Sequence, residues 1–332
     1  MTTAINVQRR KLGRTGPEVF PISLGCMGMS GMYGAADDGE SLATIHAAID
    51  AGINLIDTGD FYGMGHNEML IGRALHFQRD QVLLSVKFGA QRSPDGAFLG
   101  FDGRPVAVKT ALAYSLKRLG VDYIDIYRPA RLDPNVPIEE TVGAIAEMVK
   151  RGYVRHIGLS EVGPETIRRA AAVHPIVDLQ IEYSLISRSP EAKIFPVLEE
   201  LGIGATAYGV LSRGLLCGSQ PAGKGDFRAF LPRFSGDNLA SNQKLVSSLK
   251  EIAASKGVTQ VQLATAWVLA RHEWIVPVMG ARKRSQLSEA LGALEVKLTP
   301  DELAAIEAAV PHEAVAGTRY DLHQMRMLDS EK

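Results

Sequence analysis

Eight short runs rich in valine, isoleucine and leucine recur along the chain, and a helix-like stretch follows each of them. The runs lie near Ile22 to Cys26, Asn54 to Thr58, Val82 to Lys87, Tyr123 to Tyr127, Val154 to Ser160, Asp178 to Tyr183, Ala205 to Tyr208 and Ile275 to Met279. A strand covered on both faces reads as such a run, and its parallel neighbour is reached only through a crossover, so the alternation predicts an α/β chain. The stretches between are amphipathic, among them Glu40 to Ala51, Asn67 to Gln78, Val106 to Leu119, Ile138 to Arg151, Pro164 to Val173 and Glu191 to Leu201. Gly52, Gly120, Gly152 and Gly202 mark stops, as glycine does past a helix end. Eight strand-helix units without a long Pro/Gly/Ser linker match one (β/α)8 TIM barrel, expected as a single domain over 1–332.

Three segments fall outside the repeat. Lys11 to Pro21 reads as a small hairpin cap, and the tail after Pro311 has no assignment. Gly218 to Asn238, with Gly223, Gly225, Arg228, Pro232, Arg233 and Phe234, forms a long loop after the seventh strand. It reads either as a lid over an anionic ligand or as a surface insertion.

The 332 residues and a 46% hydrophobic fraction support a sizeable core. Lys+Arg 36 against Asp+Glu 37 leaves a net charge of -1, so bulk charge points to no nucleic-acid or membrane partner, and a small-molecule partner is expected. Cys26 and Cys217 are the only cysteines, which suits a reducing compartment and supports neither a disulfide scaffold nor a cysteine metal cluster. The first residues lack the apolar core of a signal peptide, and no run approaches the ~18 apolar residues of a membrane span, so a cytoplasmic location is expected.

In a barrel of this kind the chemistry sits at the carboxyl ends of the strands. The polar residues there are Asp57, Lys87, Ser160, Gln180, Tyr183 and Tyr208, with Tyr62 close behind Asp57. A lysine closing a Val/Leu run is costly to bury unless it is paired or used. A phenol with an ordinary pKa of ~10 gives up its proton at neutral pH only with a cation to stabilise the phenolate, and Lys87 is placed to be that cation. Asp57 would orient the ammonium, and Tyr62 would protonate a substrate oxygen. Alone, each has a bland reading: Asp57 as a turn cap, Tyr62 as loop cover, Tyr208 as core.

Other patterns are weaker. Gly202-Ile203-Gly204-Ala205-Thr206-Ala207 meets a loose dinucleotide pattern but precedes a strand, where the fingerprint must follow one. His66 reads as an exposed loop histidine, with Asn67 as a cap of the next helix.

Taken in order, Asp57-Thr58-Gly59-Asp60-Phe61-Tyr62-Gly63 with Glu68, Lys87, Gly158-Leu159-Ser160, Gln180-Ile181-Glu182-Tyr183, Ala207-Tyr208-Gly209 and Pro277-Val278-Met279-Gly280 resemble an aldo-keto reductase from about Lys11 to Leu294. The resemblance implies a (β/α)8 barrel and NADPH-dependent reduction of a carbonyl. It makes Tyr62 the general acid, Lys87 the partner that lowers its pKa and Asp57 the charge that orients the lysine. Ser160 and Gln180 would hold the carboxamide, and Tyr208 would stack on the nicotinamide ring. Gly209, Leu211, Ser212, Arg213 and Gly214 would cradle the pyrophosphate. Gly280 and Arg282 would meet the 2'-phosphate at a helix start. Gln286 stands where the family often has arginine, and Glu289 matches the position that meets the adenine.

The family's histidine after the fourth strand is replaced here. In Tyr127-Arg128-Pro129-Ala130-Arg131-Leu132-Asp133-Pro134 the aligned residue is Ala130, which has no donor and leaves space. Either the space accepts a bulkier substrate or a water, or the protein binds cofactor and reduces little; Arg128 or Arg131 as substitute donor ranks below a structural or solvated arginine. Two alternatives to the reductase therefore stay open. One is a cofactor-sensing regulatory protein on the same fold, and the other is a barrel isomerase or aldolase with Lys87 as a Schiff base.

Overall fold

The computed structural model describes residues 5–221 and 226–332, so Gly223 and Gly225 lie outside the described residues. Eight parallel strands close a barrel: β1 (Ser23–Gly25), β2 (Leu55–Gly59), β3 (Leu83–Phe88), β4 (Ile124–Pro129), β5 (Val154–Ser160), β6 (Ile176–Glu182), β7 (Gly204–Tyr208) and β8 (Ile275–Gly280). All eight coincide with the apolar runs of the sequence. The barrel closes where Val278 of β8 faces Ser23 of β1.

Helices cross between successive strands: α1 (Asp38–Asp50), α2 (His66–Leu75), α3 (Pro105–Leu119), α4 (Ile138–Lys150), α5 (Pro164–Val173) and α6 (Pro190–Leu201). Between β7 and β8 lie two more, α7 (Gly236–Ser255) and α8 (Gln260–Arg271), and α9 (Arg284–Leu291), α10 (Pro300–Ala309) and α11 (Leu322–Arg326) follow β8. Asn67 is not a helix cap: it is buried, accepts from the Thr58 hydroxyl (2.7 Å) and donates to the Cys26 carbonyl (2.8 Å), tying α2 to the ends of β1 and β2.

The strands alternate sides, and that alternation layers the interior. Leu55, Ile126 and Val276 form an apolar floor with Leu12, Val19 and Val177. One step up the strands, the inward positions become Asp57, Ser85, Lys87, Arg128, Asp178, Gln180 and Thr206, all buried. Leu12 and Val19 come from the N-terminal hairpin, where Arg10–Lys11 pairs antiparallel with Glu18–Val19. The Arg10 guanidinium donates to the carbonyls of Leu269 (2.7 Å), His272 (3.0 Å) and Ile275 (2.6 Å), so the hairpin clasps the start of β8.

A second hairpin, Ala90–Arg92 with Phe98–Phe101, follows β3. It was not legible as strands, although Ser93-Pro94-Asp95-Gly96 between the two is turn chemistry and Gly96 has φ +85. The loop after β7 is more built than a loose insertion. It runs through short turns at Ser212–Cys217, Phe227–Phe230 and Pro232–Phe234, and buries Leu231, Arg233 and Phe234.

Candidate active site

Asp57 is the third residue of β2 and Lys87 the fifth of β3, and both point into the barrel near its carboxyl end. The Lys87 ammonium donates to Asp57 Oδ1 at 2.5 Å, and both side chains are almost fully buried. Asp57 Oδ2 accepts from Ser85 Oγ (2.9 Å) and Gln180 Nε2 (2.9 Å), so the carboxylate is fully satisfied. Tyr62 stands in the turn Tyr62–Gly65 directly after β2, buried, with Lys87 Nζ 5.1 Å from its ring centre.

Burial, and then the Asp57 charge, push the Tyr62 phenol well above its ordinary range. Burial pulls Lys87 down, against the opposing attraction of Asp57. The lysine is engaged by Asp57 and does not bring the phenol down as the sequence led one to expect, so Tyr62 holds its proton at neutral pH.

A second buried pair lies beside the first. Arg128 has no exposed surface; it donates to Asp178 Oδ2 (2.8 Å), Thr206 Oγ1 (3.2 Å) and Ser85 Oγ (2.9 Å), and Thr206 Oγ1 donates to Asp178 Oδ2 (2.6 Å). Gly158 makes the room: a Cβ there would stand 2.6 Å from Asp178 Oδ1 and 3.1 Å from Arg128 Cζ. Arg128 is thus a structural arginine that reaches Asp57 through Ser85. Ala130 is buried and its amide donates to the Phe88 carbonyl (2.8 Å).

Asp60 stands just beyond β2. Burial first, and then neighbouring Glu68, raise its carboxyl to about 7, and Oδ2 accepts a long bond from the Gly89 amide (3.4 Å).

The opposite half of the mouth carries groups that sequence reasoning missed. Glu161, at φ +54, accepts from the Glu182 amide (2.9 Å), Tyr208 OH (2.8 Å), Arg319 Nη1 (2.9 Å) and Nη2 (2.6 Å) and Ser330 Oγ (2.6 Å). Glu182 takes Arg213 (2.9 Å), Arg319 (3.4 Å) and Ser187 Oγ (3.0 Å), with Arg233 at 3.7 Å. Burial opposes ionisation of both acids, yet the arginines hold both below the usual carboxylate range, Arg319 acting most on Glu161 and Arg213 on Glu182. The tail after Pro311 therefore crosses the mouth, with Tyr320 OH 3.1 Å from Tyr208 OH and Asp329 accepting from the Gly163 amide (2.8 Å). The period of two was a usable signal: Asp178, Gln180 and Glu182 share the inner face. By the same rule Tyr183 points outward, packs on Trp267 and Phe195 and donates to Glu191 (2.6 Å), away from the mouth.

The remaining expected residues line the β7 and β8 ends. Gly209, Leu211, Ser212, Arg213 and Gly214 form a tight turn in which Ser212, Arg213 and Gly214 have φ of +45, +57 and +92. Arg282 donates through Nη1 to the carbonyls of Tyr33 (2.9 Å), Gly34 (3.4 Å) and Ala35 (3.2 Å), and Gln286 accepts from its amide (3.1 Å). Arg284 pairs with Glu40, and Glu289 is partly buried on α9. His66 is not an exposed loop residue: it opens α2, half-buried between Ser30 and Asp38. A groove of about 1030 Å3 on the outside of α2 and α3, lined by His46, Met69, Phe77 and Arg118 among others, gathers none of the strand-end residues.

Residues 21–311 match the model of the aldo/keto reductase family. The chain belongs to the aldo-keto reductase family. It is 41% identical over 325 residues to probable aldo-keto reductase 1 from Glycine max, covering 96% of this chain and 93% of the relative. A glycerol dehydrogenase from Gluconobacter oxydans superposes with a TM-score of 0.82 at 29% identity, over 92% of this chain and 96% of the other. An aldo-keto reductase from Bacillus halodurans, solved in its holo form, gives 0.78 at 28% identity, over 96% and 100%. As an aldo-keto reductase the chain is an oxidoreductase acting on small carbonyl compounds with a nicotinamide cofactor. No helix among the described residues is long and apolar enough to cross a membrane.

Proposed function

We propose that this chain, acting as one domain, uses NADP(H) to reduce an aldehyde or ketone to an alcohol, or runs the reverse reaction, with Tyr62 as the proton donor. The observation that carries this reading is the convergence of Asp57, Lys87 and Tyr62 at the ends of β2 and β3. The bound nicotinamide supplies the hydride that goes to the carbonyl carbon. Tyr62 delivers its proton to the carbonyl oxygen, and the Lys87 ammonium stabilises the phenolate that is left, while Asp57 fixes the ammonium. Tyr208 is ready as a platform because its hydroxyl is tethered to Glu161 and Tyr320.

The residues present fit such a cofactor. The turn at Ser212, Arg213 and Gly214 is left-handed and closed by its own bonds, the Ser212 amide donating to the Gly209 carbonyl (2.6 Å) and the Gly214 amide to the Leu211 carbonyl (2.9 Å), so a phosphate here would be met by the Arg213 amide and the open face of the turn. A Cβ on Gly280 would meet nothing within 4 Å, and Arg282 and Lys283 stand beside it with no carboxylate within ion-pair reach among the described residues. Ser160 and Gln180 would hold the carboxamide, Gly209 to Gly214 the pyrophosphate, Arg282 the 2'-phosphate, and Gln286 and Glu289 the adenosine end.

Oxidation of NADPH and of NADH over a panel of aldehydes and ketones tests the reading, with NADPH expected to be preferred. Tyr62→Phe is expected to lower kcat by about 10²–10⁴-fold with cofactor binding kept; full activity in that variant would end the proton-donor assignment. The alternative of a cofactor-binding sensor with weak turnover draws on Ala130, a methyl group with no proton donor for the carbonyl oxygen. Ala130→His raising turnover of small aldehydes would support the absent imidazole as the limitation.

A further inference from the structure

Most cations at the barrel mouth are matched to acids, and outside the β8 turn that carries Arg282 and Lys283 one among the described residues is not. Lys87 pairs with Asp57, Arg128 with Asp178, Arg319 with Glu161, and Arg213 and Arg233 with Glu182. Arg131 has no carboxylate within 4 Å among the described residues. Its hydrogen bonds all go to neutral acceptors: the Ala130 carbonyl (2.7 Å), Ser160 Oγ (3.3 Å) and Tyr320 OH (3.5 Å). Glu161 is within electrostatic range, but both its oxygens are already taken by Arg319, Ser330, Tyr208 and the Glu182 amide.

Arg131 also stands on the reacting side. Its charge is felt at the Tyr62 phenol and at the Lys87 ammonium, and Ser160 is its direct neighbour. The phosphates of a nicotinamide nucleotide would lie at the β7 and β8 turns, leaving only the neutral carboxamide near Ser160. A half-buried guanidinium whose hydrogen bonds all go to neutral acceptors keeps donors that can take a planar anion in bidentate fashion.

We propose that Arg131 binds a carboxylate on the substrate, so that the site takes oxo acids: aldehydes or ketones carrying a carboxylate. This rests on the carbonyl-reduction reading above. Hydride from the reduced nicotinamide adds to the carbonyl carbon, the proton of Tyr62 goes to the carbonyl oxygen, and the carboxylate leaves unchanged on the hydroxy acid.

The test compares glyoxylate, 4-oxobutanoate and 5-oxopentanoate with their methyl esters as substrates for NADPH oxidation. At least one acid is expected to exceed its ester in kcat/KM by about 10- to 100-fold, the range of a charged hydrogen bond. Arg131→Met is expected to erase that ratio mainly through KM, and Arg131→Lys to restore part of it, with NADPH binding serving as the check that both variants fold. Esters reduced as well as acids by the unaltered protein, or an acid-to-ester ratio untouched by Arg131→Met, would overturn the assignment of Arg131 alone. No turnover of any acid, ester or panel carbonyl with either cofactor would overturn the carbonyl-reduction reading and this inference together.

Discussion

The two halves of the barrel mouth both bury ionised acids at strand ends, but they balance them differently. On the β2–β3 side one carboxylate faces one ammonium: Asp57 holds Lys87 at 2.5 Å, and the groups around them come from the strands themselves. On the β5–β7 side Glu182 takes Arg213, Arg233 and Arg319, Arg319 also pairs with Glu161, and it arrives from a distant tail. A pair with a single partner is sensitive to what its neighbour does, which suits a group that must respond when charge moves. A redundant cluster resists change, which suits a latch that holds a chain segment and the Tyr208 ring in place.

The largest test of that contrast is Lys87→Met. It strands the Asp57 charge in the barrel and is expected to cost roughly 3–5 kcal/mol in denaturant unfolding as well as activity. Arg319→Met leaves Glu182 its other two arginines and Glu161 its hydrogen bonds from Tyr208, Ser330 and the Glu182 amide, so about 2 kcal/mol is expected, together with faster proteolysis of the tail after Pro311. A larger loss from Arg319→Met than from Lys87→Met would break the comparison.

Acid sharpens it. The folded-state pKa values of Glu161 and Glu182 are depressed, so their contribution is present above the ordinary carboxylate pKa of ~4.3 and is lost as pH falls below it. Melting temperature followed down from pH 6 is expected to drop less steeply in Glu161→Gln than in the unaltered protein. The smallest effect has the opposite sign. Asp60 is raised to about 7, so the folded state keeps its proton, and stability falls as pH rises from the ordinary carboxylate pKa through about 7. Asp60→Asn is expected to remove that slope and to raise the melting temperature at pH 8 by on the order of 2 °C; an unchanged slope would show that Asp60 ionises at little cost.

The same contrast explains what could be read from the sequence. The eight strands were legible because strands covered on both faces must be apolar runs, and Gly120 and Gly202 end their helices in left-handed conformations as the pattern required. Asp57, Lys87 and Tyr62 were legible because polar residues closing such runs are out of place. Arg319 and Tyr320 were not, since nothing in Thr318-Arg319-Tyr320-Asp321 says that this segment returns to β5 and β6. Arg128 could not be told from a solvated arginine because its partner Asp178 is 50 residues away. Ser93-Pro94-Asp95-Gly96 did carry a turn signal, and the flanking hairpin was missed for lack of alternation in its strands.

The clasp of Arg10 on the carbonyls of Leu269, His272 and Ile275 sets a timetable for synthesis. Its partners follow it by 259 to 265 positions, so at ~5–20 residues per second the hairpin waits on the order of tens of seconds before it can dock. Until then Leu12 and Val19 have no finished floor to fill, and the barrel has an open seam between its first and last strands. A chain of this design completes its closure only after nearly all of it has been made.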